Sequence, residues 1–192
     1  MKGQEVVWSS LYSEYQTPTD LYLALSFEFH FDIDLAANAE NHLHPRWLGP
    51  GSEIGSDALA VEWSRHGHSG FVNPPYSKAD KLTCDPWVRK ATEESAYSFT
   101  TVALLPVRTD TRWWNSYVMQ ADEIRTIPHR VQFTVPPDVF AEHNRRRVEA
   151  GKKPLKKLGG AGFPSAVVIW RPLRGIIHHS GPILRTWDYR GL

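Results

Sequence analysis

Residues 73 to 76 read Asn-Pro-Pro-Tyr, directly behind the apolar pair Phe71-Val72 and ahead of Ser77. An amide, two carbonyls beside prolines and an aromatic ring are a set suited to gripping a planar amine. The exocyclic amine of adenine is such a group, and a poor nucleophile because its lone pair is delocalised into the ring. If the Asn73 side-chain oxygen and the Pro74 backbone carbonyl each accept one of its N–H groups, the nitrogen can pyramidalise and aim its lone pair at an electrophilic methyl. Pro74 and Pro75 restrict the turn and carry no N–H, so the carbonyls can face a substrate. Tyr76 is placed to stack on a base withdrawn from the duplex, which an enzyme working on a base atom requires. The work is positioning and electrostatics. Asn and Pro also build ordinary rigid turns, and enzymes that methylate protein glutamine face the same planar NH2. The tetrapeptide points to methyl transfer onto a planar nitrogen and leaves the macromolecule open.

The elements that must hold this turn follow from the hydrophobic pattern. Thr17 as N-cap and Pro18 in the first turn predict a helix through Leu21-Tyr22-Leu23-Ala24-Leu25. Phe29, Phe31, Ile33 and Leu35 alternate with His30, Asp32 and Asp34, the period of a strand ending at Asp34-Leu35-Ala36-Ala37. Residues 38–70 are loop-rich, with Gly49, Pro50, Gly51, Gly55, Gly67 and Gly70 and a short helix expected around 58–63. Phe71-Val72 is a short strand, and α/β sheets bind ligands at the carboxyl ends of their strands. Asp85-Pro86 should cap a helix to about Ser95, and Asp110 another carrying Trp113, Trp114, Tyr117 and Val118. The apolar run 100–105, stopped by Pro106, reads as a strand covered on both faces. Further strands are expected over 123–127, 131–135 and Ser165–Trp170, while the tail from Pro172 gives no clear reading. Strand and helix alternate, so the class is α/β.

At 192 residues with 41% hydrophobic content, the chain can bury one sizeable core and reads as a single domain over 1–192. It has no charged start followed by an apolar run and no apolar stretch of roughly 18 residues, so a soluble, cytoplasmic protein with no membrane partner is expected. The lone Cys84 cannot form an intramolecular disulfide or a thiolate zinc framework. It opens a helix, the wrong context for the nucleophile that cytosine-C5 chemistry needs. His42, His44, His66, His68, His178 and His179 lack partnering carboxylate or Cys spacing and read as surface residues, with no metal. Asp32 and Asp34 stand two apart on a strand; Asp34 is taken as functional and Asp32 as structural.

A net charge of +1 carries no global sign of a nucleic-acid binder, but the charge is unevenly distributed. From 143 to 157 the chain places Arg145, Arg146, Arg147, Lys152, Lys153, Lys156 and Lys157 against Glu149 alone. Alone, such a segment reads as a solvated loop; in a protein that acts on DNA, this basic insertion, at about 136–162 and ending in Gly159-Gly160-Ala161-Gly162, is expected to contact phosphates or read the target. Arg108 and Arg112, beside Trp113 and Trp114 after the 100–105 strand, are further candidates for phosphate contact, with the tryptophans serving the core.

Several pieces taken in order resemble the phage-type, Dam-like DNA N6-adenine methyltransferases over about residues 8 to 170. They are Gln16-Thr17-Pro18, Asp32-Ile33-Asp34-Leu35-Ala36-Ala37, Asp57-Ala58-Leu59 with Trp63, Phe71 through Ser77, Trp87-Val88-Arg89-Lys90-Ala91, Leu104 through Trp114, and Phe163-Pro164-Ser165-Ala166. The resemblance implies a Rossmann-like, S-adenosylmethionine-dependent fold with a mostly parallel sheet and helices on both faces. It also implies a phage or prophage enzyme that methylates adenine N6 in DNA, working in a bacterial cytoplasm. Thr17 and Pro18 match the segment lining the cofactor's methionine end. Asp34, with Ala36, matches the acidic end of the first core strand, and Asp57, with Leu59, the acidic residue near the cofactor adenine. Asn73, Pro74, Pro75 and Tyr76 match the catalytic turn. No Gly-x-Gly loop follows Asp34, and the backbone amides of Ala36 and Ala37 are expected to do that work. The alternatives are protein-glutamine methylation, cytosine-N4 methylation, where Ser is commoner in place of Asn73, and a degenerate DNA-binding relative without catalysis.

Overall fold

A computed structural model describes residues 15–75, 83–156, 160–172 and 181–191. Among these, six strands form one sheet: β1 (Ile33–Asp34), β2 (Ser69–Val72), β3 (Thr100–Pro106), β4 (Glu123–Thr126), β5 (Ser165–Trp170) and β6 (Ile183–Thr186), in the order β1-β2-β3-β5-β4-β6. β1, β2 and β3 are parallel, β6 is parallel to β4, and β5 runs antiparallel between β3 and β4. The sheet is therefore mixed: β5 opposes the other strands, paired with β3 over six positions from Thr101↔Trp170 to Pro106↔Ser165.

The helices are α1 (Thr19–Phe29), α2 (Asp85–Ser95), α3 (Arg112–Ser116) and α4 (Pro137–Glu149). Alternating strand residues divide the core in two. Phe71, Val102, Leu104, Val167 and Ile169 pack with Leu21, Tyr22 and Leu25 of α1. Val72, Ala103, Leu105, Ala166, Val168 and Trp170 pack with Val88 and Ala91 of α2 and Trp114 of α3. Both faces of β3 and β5 are thus covered by helices, which is why these strands read as unbroken apolar runs. On β4 the buried Arg125 grips Glu28 of α1 through two bonds of 2.5 and 2.6 Å and Glu123 at 2.8 Å, tying α1 to the sheet.

Five local expectations are corrected. Phe29 ends α1 rather than opening a strand, because Leu21, Leu25 and Phe29 recur every four residues and continue its apolar side. His30, at φ 48°, stops the helix with its N–H on Ser26 O. Pro18, not Thr17, occupies the N-cap, and its carbonyl accepts Tyr22 N–H at 3.1 Å. Thr111 rather than Asp110 caps α3, its Oγ1 accepting the Trp114 N–H. Residues 131–135 bury Val131 and Phe133 with a period of two but form no strand. Thr134 makes only an isolated bridge, exchanging both backbone bonds with Gln16 at 3.0 and 3.1 Å. In the 58–63 region the helical turn lies slightly later, as a 3-10 turn at Trp63–Arg65.

Candidate active site

β1 and β2 lie side by side with Asp34 opposite Phe71, and Leu35 N–H donates to Phe71 O at 2.8 Å. Beyond their carboxyl ends the chain opens a cavity of about 350 Å³. Its wall combines Tyr15, Gln16 and Thr17 ahead of α1, Asp34, Ala36 and Ala37 after β1, Gly49 and Asp57 from the long connection, Asn73, Pro74 and Pro75 after β2, and Trp87 of α2. Parallel strand ends are where α/β sheets place ligands, and the volume lies within the range of small-molecule sites.

Asn73 is half-buried, and its Nδ2 donates to the Tyr15 carbonyl at 3.0 Å. A carbonyl only accepts, so this bond fixes which way the amide faces. The other end, Oδ1, is buried and has no hydrogen-bond partner among the described residues. Buried acceptors are almost always satisfied, so this oxygen is poised for a donor that none of the described residues provides. Tyr76, with Ser77, lies outside the described residues, as do Lys157, Gly159, His178 and His179.

The Asp34 carboxyl is 4% exposed and accepts Leu43 N–H at 3.0 Å and, more weakly, Ala36 N–H at 3.4 Å. Burial pushes it up from 3.8 to about 6, against the opposing pull of those two amides and of His42 and His44. An acid raised in the folded state holds a proton that the unfolded chain has already lost. Stability therefore falls as pH rises from about 4 to about 6 and stays lower above that window, by about 3 kcal/mol for a gap of about two units. Chemical unfolding of the parent and of Asp34→Asn across pH 4 to 7 checks this. The parent's stability relative to the variant should decline over the window, and a flat difference would refute it.

Asp32 serves the scaffold, its Oδ2 accepting the N–H groups of His68 and Ser69 at 2.7 and 3.2 Å at the start of β2. Asp57 is exposed on the cavity rim, and its Oδ1 accepts Leu59 N–H at 2.9 Å, closing a tight turn. That turn is held from behind. The buried Glu94 of α2 accepts the backbone N–H groups of Trp63 and Ser64 at 3.0 and 3.2 Å, and the Trp63 indole donates to Ala58 O at 2.8 Å.

Pro18 and Leu59 do not line the cavity: the first is turned into the start of α1 and the second lies beyond the Asp57 turn. The amides of Ala36 and Ala37 do not replace a glycine loop either, because they already donate to Asp34 Oδ1 and to Leu48 O at 3.1 Å. The close backbone approach occurs instead at Gly49, which has φ 140° and where a Cβ would sit 1.9 Å from Ala37 O. Residues 46–48 run beside β1, exchanging Asp34 N–H to Arg46 O at 3.0 Å and Leu48 N–H to Asp34 O at 2.8 Å. Gly49-Pro50-Gly51 was legible as a turn, but nothing local revealed that it returns to β1.

None of the candidate DNA residues lines the cavity. Arg108 and Arg112 are exposed at the start of α3, where Trp114 is core and Trp113 half-buried. Arg145 and Arg146 pair with Glu142, Arg147 donates to Lys153 O, and Lys152 and Lys153 are exposed. The root of α4 nevertheless reaches the site. Gln16 bridges Thr134, the Tyr15 and Phe133 rings lie 6.1 Å apart, and the Tyr15 carbonyl holds Asn73.

Cys84 is buried and its thiol is pushed up to about 12, which makes it a poor nucleophile. Among the described residues, no group of three or more His, Cys, Asp and Glu is placed to hold a metal ion, and no helix is long and apolar enough to cross a membrane.

The family model of DNA N-6-adenine-methyltransferase (Dam) matches residues 8–183. The chain is also 25% identical over 161 residues to a DNA N-6-adenine-methyltransferase of Escherichia phage T1, an alignment covering 83% of this chain and 63% of that protein. It thus spans less than two thirds of the length of that relative. The family match takes in the cavity segments, the Asn73 turn, β3, β5 and α4, and on that extent the chain belongs to the DNA N-6-adenine-methyltransferase (Dam) family.

Proposed function

We propose that this chain transfers a methyl group from S-adenosylmethionine to the exocyclic amine of an adenine flipped out of DNA. The observation that carries the reading is the Asn73 amide: one end is tied to Tyr15, and the other is a buried acceptor without a partner among the described residues, in a turn on the cavity wall. Asn73 Oδ1 and the Pro74 carbonyl accept the two amine N–H groups, drawing the lone pair out of conjugation, and Tyr76 stacks on the base. Pro75 keeps the turn rigid.

The cavity suits the cofactor on the chemistry of its wall. The buried Asp34 carboxyl accepts from the Leu43 and Ala36 amides, and its remaining lone pairs, at the cavity wall, would accept from cofactor hydroxyls. Thr17, Ala36 and Asp57 would complete the cofactor contacts. When bound, the cofactor supplies a methyl made electrophilic by its sulfonium. The protein's own part is to hold the amine in line and keep water out.

In this reading the sheet is a Rossmann-like methyltransferase sheet: the ligand sits at the ends of parallel β1 and β2, and β5 is a late antiparallel insertion. The chain is one methyltransferase domain with an insertion at about 136–162. Arg145, Arg146, Arg147, Lys152 and Lys153 engage phosphates beside the site, and so do Arg112 at the start of α3 and Arg108 in the turn ahead of it. The setting is a phage-encoded enzyme in the cytoplasm of a bacterial host.

The test is incubation with labelled cofactor and unmethylated DNA, followed by digestion to nucleosides. Label in N6-methyladenine is expected. Label only in N4-methylcytosine, in RNA or in protein glutamine would overturn the proposal.

A further inference from the structure

α4 ends in a reversal with two defined bonds. Gly151, at φ 71°, donates to Val148 O at 2.9 Å and Lys152 N–H donates to Arg147 O at 2.8 Å, the pattern by which a left-handed residue turns a chain back along its own helix. A Cβ at Gly151 would meet nothing within 4 Å, so the backbone angle rather than space calls for glycine there. The returning chain is then pinned to α4. Arg147 Nε donates to Lys153 O at 3.1 Å, Asn144 Nδ2 donates to Leu155 O at 3.0 Å, and Leu155 N–H donates to Asn144 Oδ1 at 2.8 Å. One neutral amide thus clamps both backbone groups of a residue eleven positions away.

The clamp sets Lys152, Lys153 and Lys156 alongside Arg145 and Arg146. Residues 142–156 carry six cations against Glu142 and Glu149, a surplus of four; the whole chain carries only +1, so everything outside this lobe is net −3. The net positive charge that attracts a polyanion is therefore concentrated in this lobe. α4 buries only His143, so its exposed basic side is not required to fill a core. α4, which carries the first half of the lobe, begins three residues beyond the Gln16–Thr134 bridge, and Gln16 adjoins Tyr15, whose carbonyl holds Asn73.

Resting on the proposal that DNA is the substrate, we infer that residues 142–156 are a preassembled grip for the duplex backbone, and that Asn144 is the positioning residue that sets the spacing of its charges. Asn144 removes no charge when mutated, so its effect separates geometry from net charge.

Salt-dependent duplex binding of Asn144→Ala, Lys152→Ala/Lys153→Ala and the triple variant is the test. Asn144→Ala should weaken duplex affinity roughly three- to tenfold and flatten the log–log salt slope by about 0.9, the share of one phosphate contact. Its kcat at saturating DNA and its cofactor affinity should match the parent, and its Leu155 amide should exchange hydrogen faster. The triple variant should bind about as well as the double, because the clamp acts through those lysines. Parent-like affinity and slope in Asn144→Ala, or fully additive losses in the triple, would overturn the inference. A parent chain that binds no duplex would overturn the DNA reading itself, and this inference with it.

Discussion

Replacing Asn73 by alanine should lower methyl transfer roughly 10²- to 10³-fold, as loss of one preorganised hydrogen-bonding group does at other electrostatic sites. Folding and cofactor binding should survive. The reason lies in the two ends of the amide. Nδ2 donates to Tyr15 O at 3.0 Å, worth about 1 kcal/mol in the folded state, while Oδ1 is buried without a partner among the described residues, at a cost of about 1–3 kcal/mol. Alanine removes a favourable and an unfavourable term together, so the melting temperature should shift little. The loss should fall on kcat rather than on the KM for DNA, because the bond matters most as the amine pyramidalises. Asn73→Gln keeps the amide but moves it out by a methylene, and a displacement of about 1 Å suffices for losses near 10²-fold. Turnover by Asn73→Ala equal to the parent would remove this residue from the mechanism, and an activity loss that tracks unfolding would do the same.

The parts that were legible in sequence are those whose signal is contiguous. β3 and β5 announced themselves because both faces are buried, so every residue of 100–106 and 165–170 had to be apolar or small. The turn at Asn73 was legible because its chemistry is carried by adjacent residues. The end of α1 was misread because Phe29, Phe31, Ile33 and Leu35 do alternate and the last three are buried, yet Phe29 reaches its place through helix rather than strand geometry. Residues 131–135 fail the same way: a period of two in burial does not imply a ladder, and Thr134 finds only one partner, Gln16. The cavity was the least legible part. Its wall comes from six separated stretches, around residues 15, 36, 49, 57, 73 and 87, and no local pattern states that they meet. Trp63 illustrates this: it read as the end of a short helix, yet its indole holds Ala58 beside the cavity and Glu94 holds it in turn. No Gly-x-Gly loop follows Asp34, and the close backbone approach that requires glycine lies 15 residues downstream, at Gly49, where sequence adjacency gives no hint of it.

Gly49→Ala should destabilise the protein by about 3 kcal/mol or more and abolish cofactor binding, whereas Gly51→Ala, two residues on, should cost about 1–2 kcal/mol and leave binding largely intact. Both glycines have positive φ, 140° and 88°, so both substitutions carry backbone strain. Space separates them. A Cβ at Gly51 would meet Trp47 and Ala39 at 3.6 and 3.8 Å, ordinary contact, but at Gly49 it would lie 1.9 Å from the Ala37 carbonyl oxygen and 3.1 Å from its carbon. That carbonyl is backbone and cannot swing aside as a side chain would. Ala37 is also pinned through its own N–H to Leu48 O, and Gly49 N–H donates to Gly55 O at 2.9 Å. Relief therefore requires parting the 46–49 segment from the chain that leaves β1, and with it the wall beside Asp34. Urea unfolding with an unchanged m-value gives the stability difference, and calorimetry with S-adenosylmethionine gives the binding. Equal destabilisation by the two substitutions would mean that positive φ alone, not the close approach to Ala37, accounts for glycine at position 49.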